Sequence, residues 1–192
     1  MRGLLIVDVQ NDFTEGGALG VDGGTAVARG ITAYLAQHRS DYDVVIASRD
    51  WHNSEGDNGG HFALDSEPNF VDTWPVHCVA GTFGAEYHPE LDITQVDVHV
   101  KKGQGEPAYS MFEGITDDGH TVQEVLEAHG ITSVDVVGIA TDHCVRASAL
   151  DALSGGQDVT VLTDLIAAVA SDTGEKALNE LVAHGATLHT SS

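Results

Sequence analysis

The sequence predicts an α/β protein of three layers, with helices on both faces of a mainly parallel sheet of about six strands. Two observations carry the prediction. Short β-branched apolar runs alternate with stretches whose apolar positions recur at helical spacing along the 192 residues. The first run, Leu4-Leu5-Ile6-Val7, is continuous rather than alternating, the pattern of a strand buried on both faces, whereas Val96–Lys101 alternates.

Taken in order, Leu4–Val9 is the first strand. Thr25–Gln37 is a helix with Val27, Ile31 and Leu35 on one face and Thr25 placed to cap it. Asp43–Ser48 and Val96–Lys101 are the next two strands. Thr121–His129 is a helix closed by Gly130, and Ser133–Ile139 a fourth strand. Asp142–Ser154 is a helix ended by Gly155-Gly156, followed by a fifth strand at Val159–Leu162. Asp172–His184 is the last helix, and Ala186–Thr190 the last strand. The chain reads as one domain over residues 1–192, with an insertion at about 51–95. An insertion of that length is too long for an ordinary connection, and it carries His52, His61, His77 and His88.

Thirty acids against eight bases leave a net charge of −22. The basic footprint of a nucleic-acid binder is missing, and an anionic membrane would repel such a surface. No apolar run approaches the roughly 20 residues of a membrane span. The N-terminal run is too short for a signal-peptide core and no small-residue cleavage site follows it, so the expected location is cytoplasmic. The lysines are only Lys101, Lys102 and Lys176. An acidic, lysine-poor surface fits proteins of a salty cytoplasm and fits simple solubility, and both readings stay open. The expected partner is a small molecule. Monomer and homo-oligomer are both compatible with the sequence.

In an open α/β sheet, ligands bind beyond the carboxyl ends of the strands. That edge receives Asp8 after the first strand, Arg49-Asp50-Trp51-His52 after the second, Lys101-Lys102-Gly103 after the third and Ala140 to Cys144 after the fourth. Cys144 falls in the first turn of a predicted helix, where backbone amides lower a thiol pKa and can hold an oxyanion. Nucleophile and buried structural cysteine are both open from position alone. Asp8 suits a general base, a helix cap or a salt bridge. Lys102 suits a charge stabiliser or a solvated surface charge. Together Cys144, Asp8 and Lys102 form a nucleophile, a proton acceptor and a balancing cation. Asp50-x-His52, His61 and His77 combine imidazoles with one carboxylate, a set suited to zinc, manganese or iron, with surface histidines as the alternative. Cys78, beside His77, reads as packing.

These residues sit in motifs. Ile6-Val7-Asp8-Val9-Gln10-Asn11-Asp12-Phe13, Ser48-Arg49-Asp50-Trp51-His52, Thr73-Trp74-Pro75-Val76-His77-Cys78, Val100-Lys101-Lys102-Gly103, Ala108-Tyr109-Ser110-Met111-Phe112 and Gly138-Ile139-Ala140-Thr141-Asp142-His143-Cys144 follow in this order. The set resembles the nicotinamidase/pyrazinamidase branch of the isochorismatase-like cysteine hydrolases over nearly the whole chain. The resemblance implies a Rossmann-like strand order and a catalytic triad of Asp8, Lys102 and Cys144. It implies an oxyanion hole from the Ala140 and Cys144 amides, behind a non-proline cis peptide at Ile139–Ala140. One divalent metal, zinc before iron or manganese, would be held by Asp50, His52 and His77. His61 is a further ligand candidate, set off by what looks like a short insertion at Asn58-Gly59-Gly60. Phe13, Trp74, Tyr109, Ala140 and His143 would line the substrate pocket. The implied activity is hydrolysis of nicotinamide to nicotinate and ammonia through a Cys144 thioester, in NAD salvage, with pyrazinamide as a second substrate. A related amidohydrolase acting on an N-carbamoyl or ureido compound is the nearest alternative.

Overall fold

A computed structural model describes residues 1–192. The elements run β1 (Arg2–Val7), α1 (Gly24–His38), β2 (Val44–Asp50), β3 (Val98–Lys102), β4 (Ile115–Thr116), α2 (Val122–Ala128), β5 (Ser133–Ile139), α3 (Arg146–Ser154), β6 (Asp158–Ala167), α4 (Ser171–Ala183) and β7 (Thr187–His189). They form one seven-stranded sheet in the order β4-β3-β2-β1-β5-β6-β7. Every pairing is parallel except that of β3 with β4.

β1 lies at the centre, and its four apolar residues divide between the two faces. Leu4 and Ile6 pack with Val27, Ile31 and Leu35 of α1. Leu5 and Val7 belong to the opposite core, with Val122 and Leu126 of α2, Ala149 of α3 and Leu181 of α4. The continuous apolar run is therefore a strand covered on both sides, and the molecule has three layers. Each such fully buried aliphatic side chain contributes about 1.5–3 kcal/mol.

The differences from expectation have local causes. β1 stops at Val7 because Asp8 takes a left-handed backbone, φ 47°. β2 runs on to Asp50, which pairs in register with Lys102. Thr25 does not cap α1. The cap is Gly23, and Thr25 lies inside the helix. The carboxylate of Glu15 instead accepts from the Gly23 and Thr25 amides at 2.8 and 2.9 Å, so the anion at this helix start comes from a remote loop. β6 continues to Ala167 past an irregularity opposite Val136 and Gly138. β4 has two residues and pairs antiparallel, too short to show a period. The helix expected at Asp142 opens instead with a π-helical turn, Thr141–Val145, before α3 begins at Arg146. Gly138 is required here: φ is 120° and a Cβ would meet the Val7 carbonyl oxygen at 2.1 Å. No helix is long and apolar enough to cross a membrane.

Residues 51–95 contain no long element. They fold through short turns at Phe83–Ala85 and Ile93–Gln95 and through the bridges His52–Val79 and Phe62–Trp74. Those bridges bring the histidine-bearing pieces back over the carboxyl edge of β2.

Candidate active site and metal centre

Four strand ends deliver the chemistry. Asp8 follows β1, Asp50 ends β2, Lys102 ends β3, and Ala140 to Cys144 follow β5. Lys102 is the hub. Its ammonium lies 2.9 Å from Asp8 Oδ2, forms an ion pair with Asp50 Oδ1, and sits 3.7 Å from Cys144 Sγ. All three of its neighbours and Lys102 itself are buried. A buried ammonium is tolerable only with such counter-charges. Burial works against its charge, yet Asp50 and Asp8 hold its pKa well above the ordinary lysine value. The bland reading of Lys102 as a surface charge is thereby excluded.

Asp8 is oriented by Ser48. The Ser48 hydroxyl donates to Asp8 Oδ1 at 2.7 Å, and the Asp8 amide donates to Ser48 Oγ at 3.3 Å. Burial raises the Asp8 pKa, with Lys102 pulling the other way. The raised value makes it a stronger base than an ordinary aspartate. Burial also pushes the Cys144 thiol well above its ordinary pKa, against the lowering by Lys102. This corrects the expectation of a helix-depressed thiol. Cys144 sits in a π-helical turn, and its desolvation outweighs the neighbouring cation. Desolvation thus favours the thiol form of Cys144 over the thiolate.

The second cluster adjoins the first. His52, His61 and His77 each offer a ring nitrogen, and these atoms lie within 4.8 Å of one another. Asp50 Oδ2 is 3.5 Å from His52 Nε2 and 3.6 Å from His77 Nε2. His52 Nδ1 is 2.7 Å from the Gly103 carbonyl, and His77 Nδ1 is 2.7 Å from that of Pro75. A carbonyl only accepts, so each Nδ1 carries the proton and each Nε2 presents a lone pair inward. Gly103 makes this approach possible, since a Cβ there would lie 2.5 Å from the His52 ring. His52 Nε2 and His61 Nδ1 are buried without a hydrogen-bond partner. Orphaned inward nitrogens beside a carboxylate are the donor set of a divalent metal, and the four residues fit one. His61, set apart by the Asn58-Gly59-Gly60 segment, is brought into the cluster. Cys78 is fully buried, points to the Gly84 carbonyl and is outside the histidine group.

A cavity of about 410 Å³ opens above both clusters. Cys144, Asp50, His61 and His77 reach it, while Asp8 and Lys102 lie beneath its floor. Phe13, Trp74, Tyr109, Ala140 and His143 all line it. Trp74 Nε1 donates to the Tyr109 hydroxyl at 3.0 Å, tying the long loop to the segment after β3. The Trp74 and His143 rings meet edge-to-face at 5.3 Å. The Ile139–Ala140 peptide is cis. Leu19, Val21, Phe70 and Val169 complete an apolar wall that the sequence reading missed. They are isolated residues in irregular segments, with no period or motif to mark them.

The isochorismatase domain family profile matches residues 2–192. The nicotinamidase/pyrazinamidase of Mycobacterium tuberculosis is 49% identical over 181 residues, which cover 94% of each chain. PnC1 of L. infantum, solved in complex with nicotinate, superposes with a TM-score of 0.85 at 34% identity, covering 100% of this chain and 93% of its own. The pyrazinamidase of Pyrococcus horikoshii, solved in complex with zinc, has a TM-score of 0.83 at 34% identity and 98% coverage of both chains. Matched from end to end in sequence and in fold, the chain belongs to the isochorismatase family, in its nicotinamidase/pyrazinamidase branch.

Proposed function

We propose that this protein is a metal-containing cysteine amidohydrolase that converts nicotinamide to nicotinate and ammonia, with pyrazinamide as a second substrate. One observation carries the reading: Lys102 holds Asp8 at 2.9 Å and Cys144 at 3.7 Å beside an apolar cavity that His61 and His77 of the histidine cluster also line. The relatives named for this activity support the substrate, and the zinc-bound neighbour supports zinc over iron or manganese.

The planar ring enters between Phe13, Trp74 and Tyr109, with Ala140 and His143 beside the carboxamide. When bound by Asp50, His52, His61 and His77, the metal supplies a Lewis-acidic anchor for a heteroaromatic nitrogen or a water. Asp8 takes the Cys144 proton as the sulfur attacks the carboxamide carbon. The oxyanion is received by the Ala140 and Cys144 amides, each such donor contributing a few kcal/mol. Asp8 returns the proton to the leaving nitrogen, and ammonia departs from a Cys144 thioester. Water then attacks the thioester, giving its proton to Asp8, and nicotinate leaves as the thiol is restored. Lys102 balances the charge of Asp8 throughout. The product places the chain in NAD salvage.

The test is ammonia release from nicotinamide by the purified protein, with metal content measured on the same sample. Alkylation, chelation and Cys144→Ala are each expected to abolish it, the last by at least about 10³-fold in kcat. No release from a reduced, zinc-loaded sample would overturn the reading and favour a ureido-type substrate.

A further inference from the structure

The metal site proposed above contains a residue that touches no metal and still has a defined place in it. Asn58 is buried, with a left-handed backbone, φ 50°. Gly59 and Gly60 follow with φ 70° and 86°. Three successive left-handed residues reverse the chain, and the His61 amide closes the turn on the Asn58 carbonyl at 3.3 Å. His61 is thereby turned inward, with Nδ1 buried and unpartnered. Asparagine is the side-chain-bearing residue that tolerates this backbone best.

The Asn58 amide group makes three hydrogen bonds. Its Oδ1 accepts from the Asn53 amide at 2.8 Å and from the Gly105 amide at 3.2 Å, while Nδ2 donates to the Asn53 carbonyl at 3.0 Å. Asn53 directly follows His52. Gly105 belongs to the loop whose Gly103 carbonyl fixes the His52 ring. Asn58 therefore binds the turn that carries His61 to both supports of His52. Alanine would lose all three bonds, and aspartate would keep the two accepted ones and lose the donated one.

We propose that Asn58 is a positioning residue for the metal, holding His61 in register with His52 so that the two imidazoles close on one ion. The proposal rests on the metal reading above. Outer-shell partners of metal ligands typically contribute about 10–100-fold in affinity. An independent packing role would add to the loss of His61. A role exercised through His61 would not.

Zinc affinity, measured by competition with a chromophoric chelator on the whole protein, separates the cases. Wild type is expected to bind one zinc. Asn58→Ala and His61→Ala should each bind about 10–100-fold more weakly, and the double variant should match His61→Ala within about threefold. Asn58→Asp, which keeps two of the three bonds, should fall between wild type and Asn58→Ala, and it carries the test if the alanine variant does not fold. Wild-type affinity in Asn58→Asp and Asn58→Ala would overturn the proposal. So would an Asn58→Ala loss that persists undiminished in the His61→Ala background. A wild type that takes up no zinc would overturn the metal reading itself, a different failure from the other two.

Discussion

The Asp50 carboxylate is shared between two sites: Oδ1 pairs with Lys102, and Oδ2 faces His52 and His77 at 3.5 and 3.6 Å. Burial alone would raise its pKa, but the Lys102 ammonium holds it well below the ordinary aspartate value. In the proposed mechanism Asp50 serves metal and nucleophile together, whereas His52 serves the metal alone. Asp50→Asn and His52→Ala should both weaken zinc binding. At saturating zinc, Asp50→Asn should still show kcat at least about 10-fold below His52→Ala, because Lys102 has lost a counter-charge. Asp50→Ala should also destabilise the fold by about 3–5 kcal/mol, the cost of leaving a buried charge without its partner. Full rescue of Asp50→Asn by zinc would confine the role of Asp50 to the metal.

The Ser48–Asp8 hydrogen bond sets a pH dependence. In the proposed mechanism Asp8 must be ionised to accept the thiol proton, so kcat/KM should fall as pH falls through its pKa. Burial has raised that pKa, so the acid limb should lie above the ordinary aspartate value of about 3.9. The Ser48 hydroxyl opposes the rise by bonding the carboxylate. Ser48→Ala should therefore move the acid limb to higher pH and lower kcat about tenfold, the equivalent of one bond of about 1.4 kcal/mol. A pH–rate profile unchanged in Ser48→Ala would show that the hydroxyl only fills space.

What could be read from the sequence follows from where its information lies. Asp8, Asp50, Lys102 and Cys144 are legible because each lies at or just past the carboxyl end of a strand readable in the sequence, and a parallel sheet brings all such ends to one edge. His52 and His77 are legible by spacing and motif. Ser48 is not, since its partner Asp8 is 40 residues away and a buried serine in a strand carries no periodic mark. Asn58 reads as part of an insertion, because its hydrogen bonds to Asn53 and Gly105 exist only once the loop has closed. The direction of the Cys144 shift needs the depth of burial, which position on a helix does not supply. β4 is two residues long, below the length at which alternation can be recognised.

The histidine cluster should make the metal-free protein acid-labile. Burial, then the neighbouring His52 and His77, push the His61 pKa down to about 4. In the unfolded chain it titrates near about 6.5. Between those values the unfolded state binds the proton and the folded state does not, so stability falls as pH falls from about 6.5 toward 4. The melting temperature of the chelated protein should decline over that window, and His61→Ala should flatten the decline. An equal decline in both proteins would assign the acid lability to other groups.

The surface charge predicts a response to salt. All five arginines, together with Lys101 and Lys102, are already in ion pairs with acids. With thirty acids and eight bases, most carboxylates have no lysine or arginine partner. Their repulsion acts on the compact state and is screened as the Debye length shrinks from about 30 Å at 0.01 M to about 3 Å at 1 M. The melting temperature should therefore rise with KCl, steeply below about 0.2 M and flattening by about 1 M. A gain of about 2 kcal/mol corresponds to about 4–8 °C for a chain of this size. A melting temperature independent of KCl over that range would leave solubility as the reason for the acidic surface.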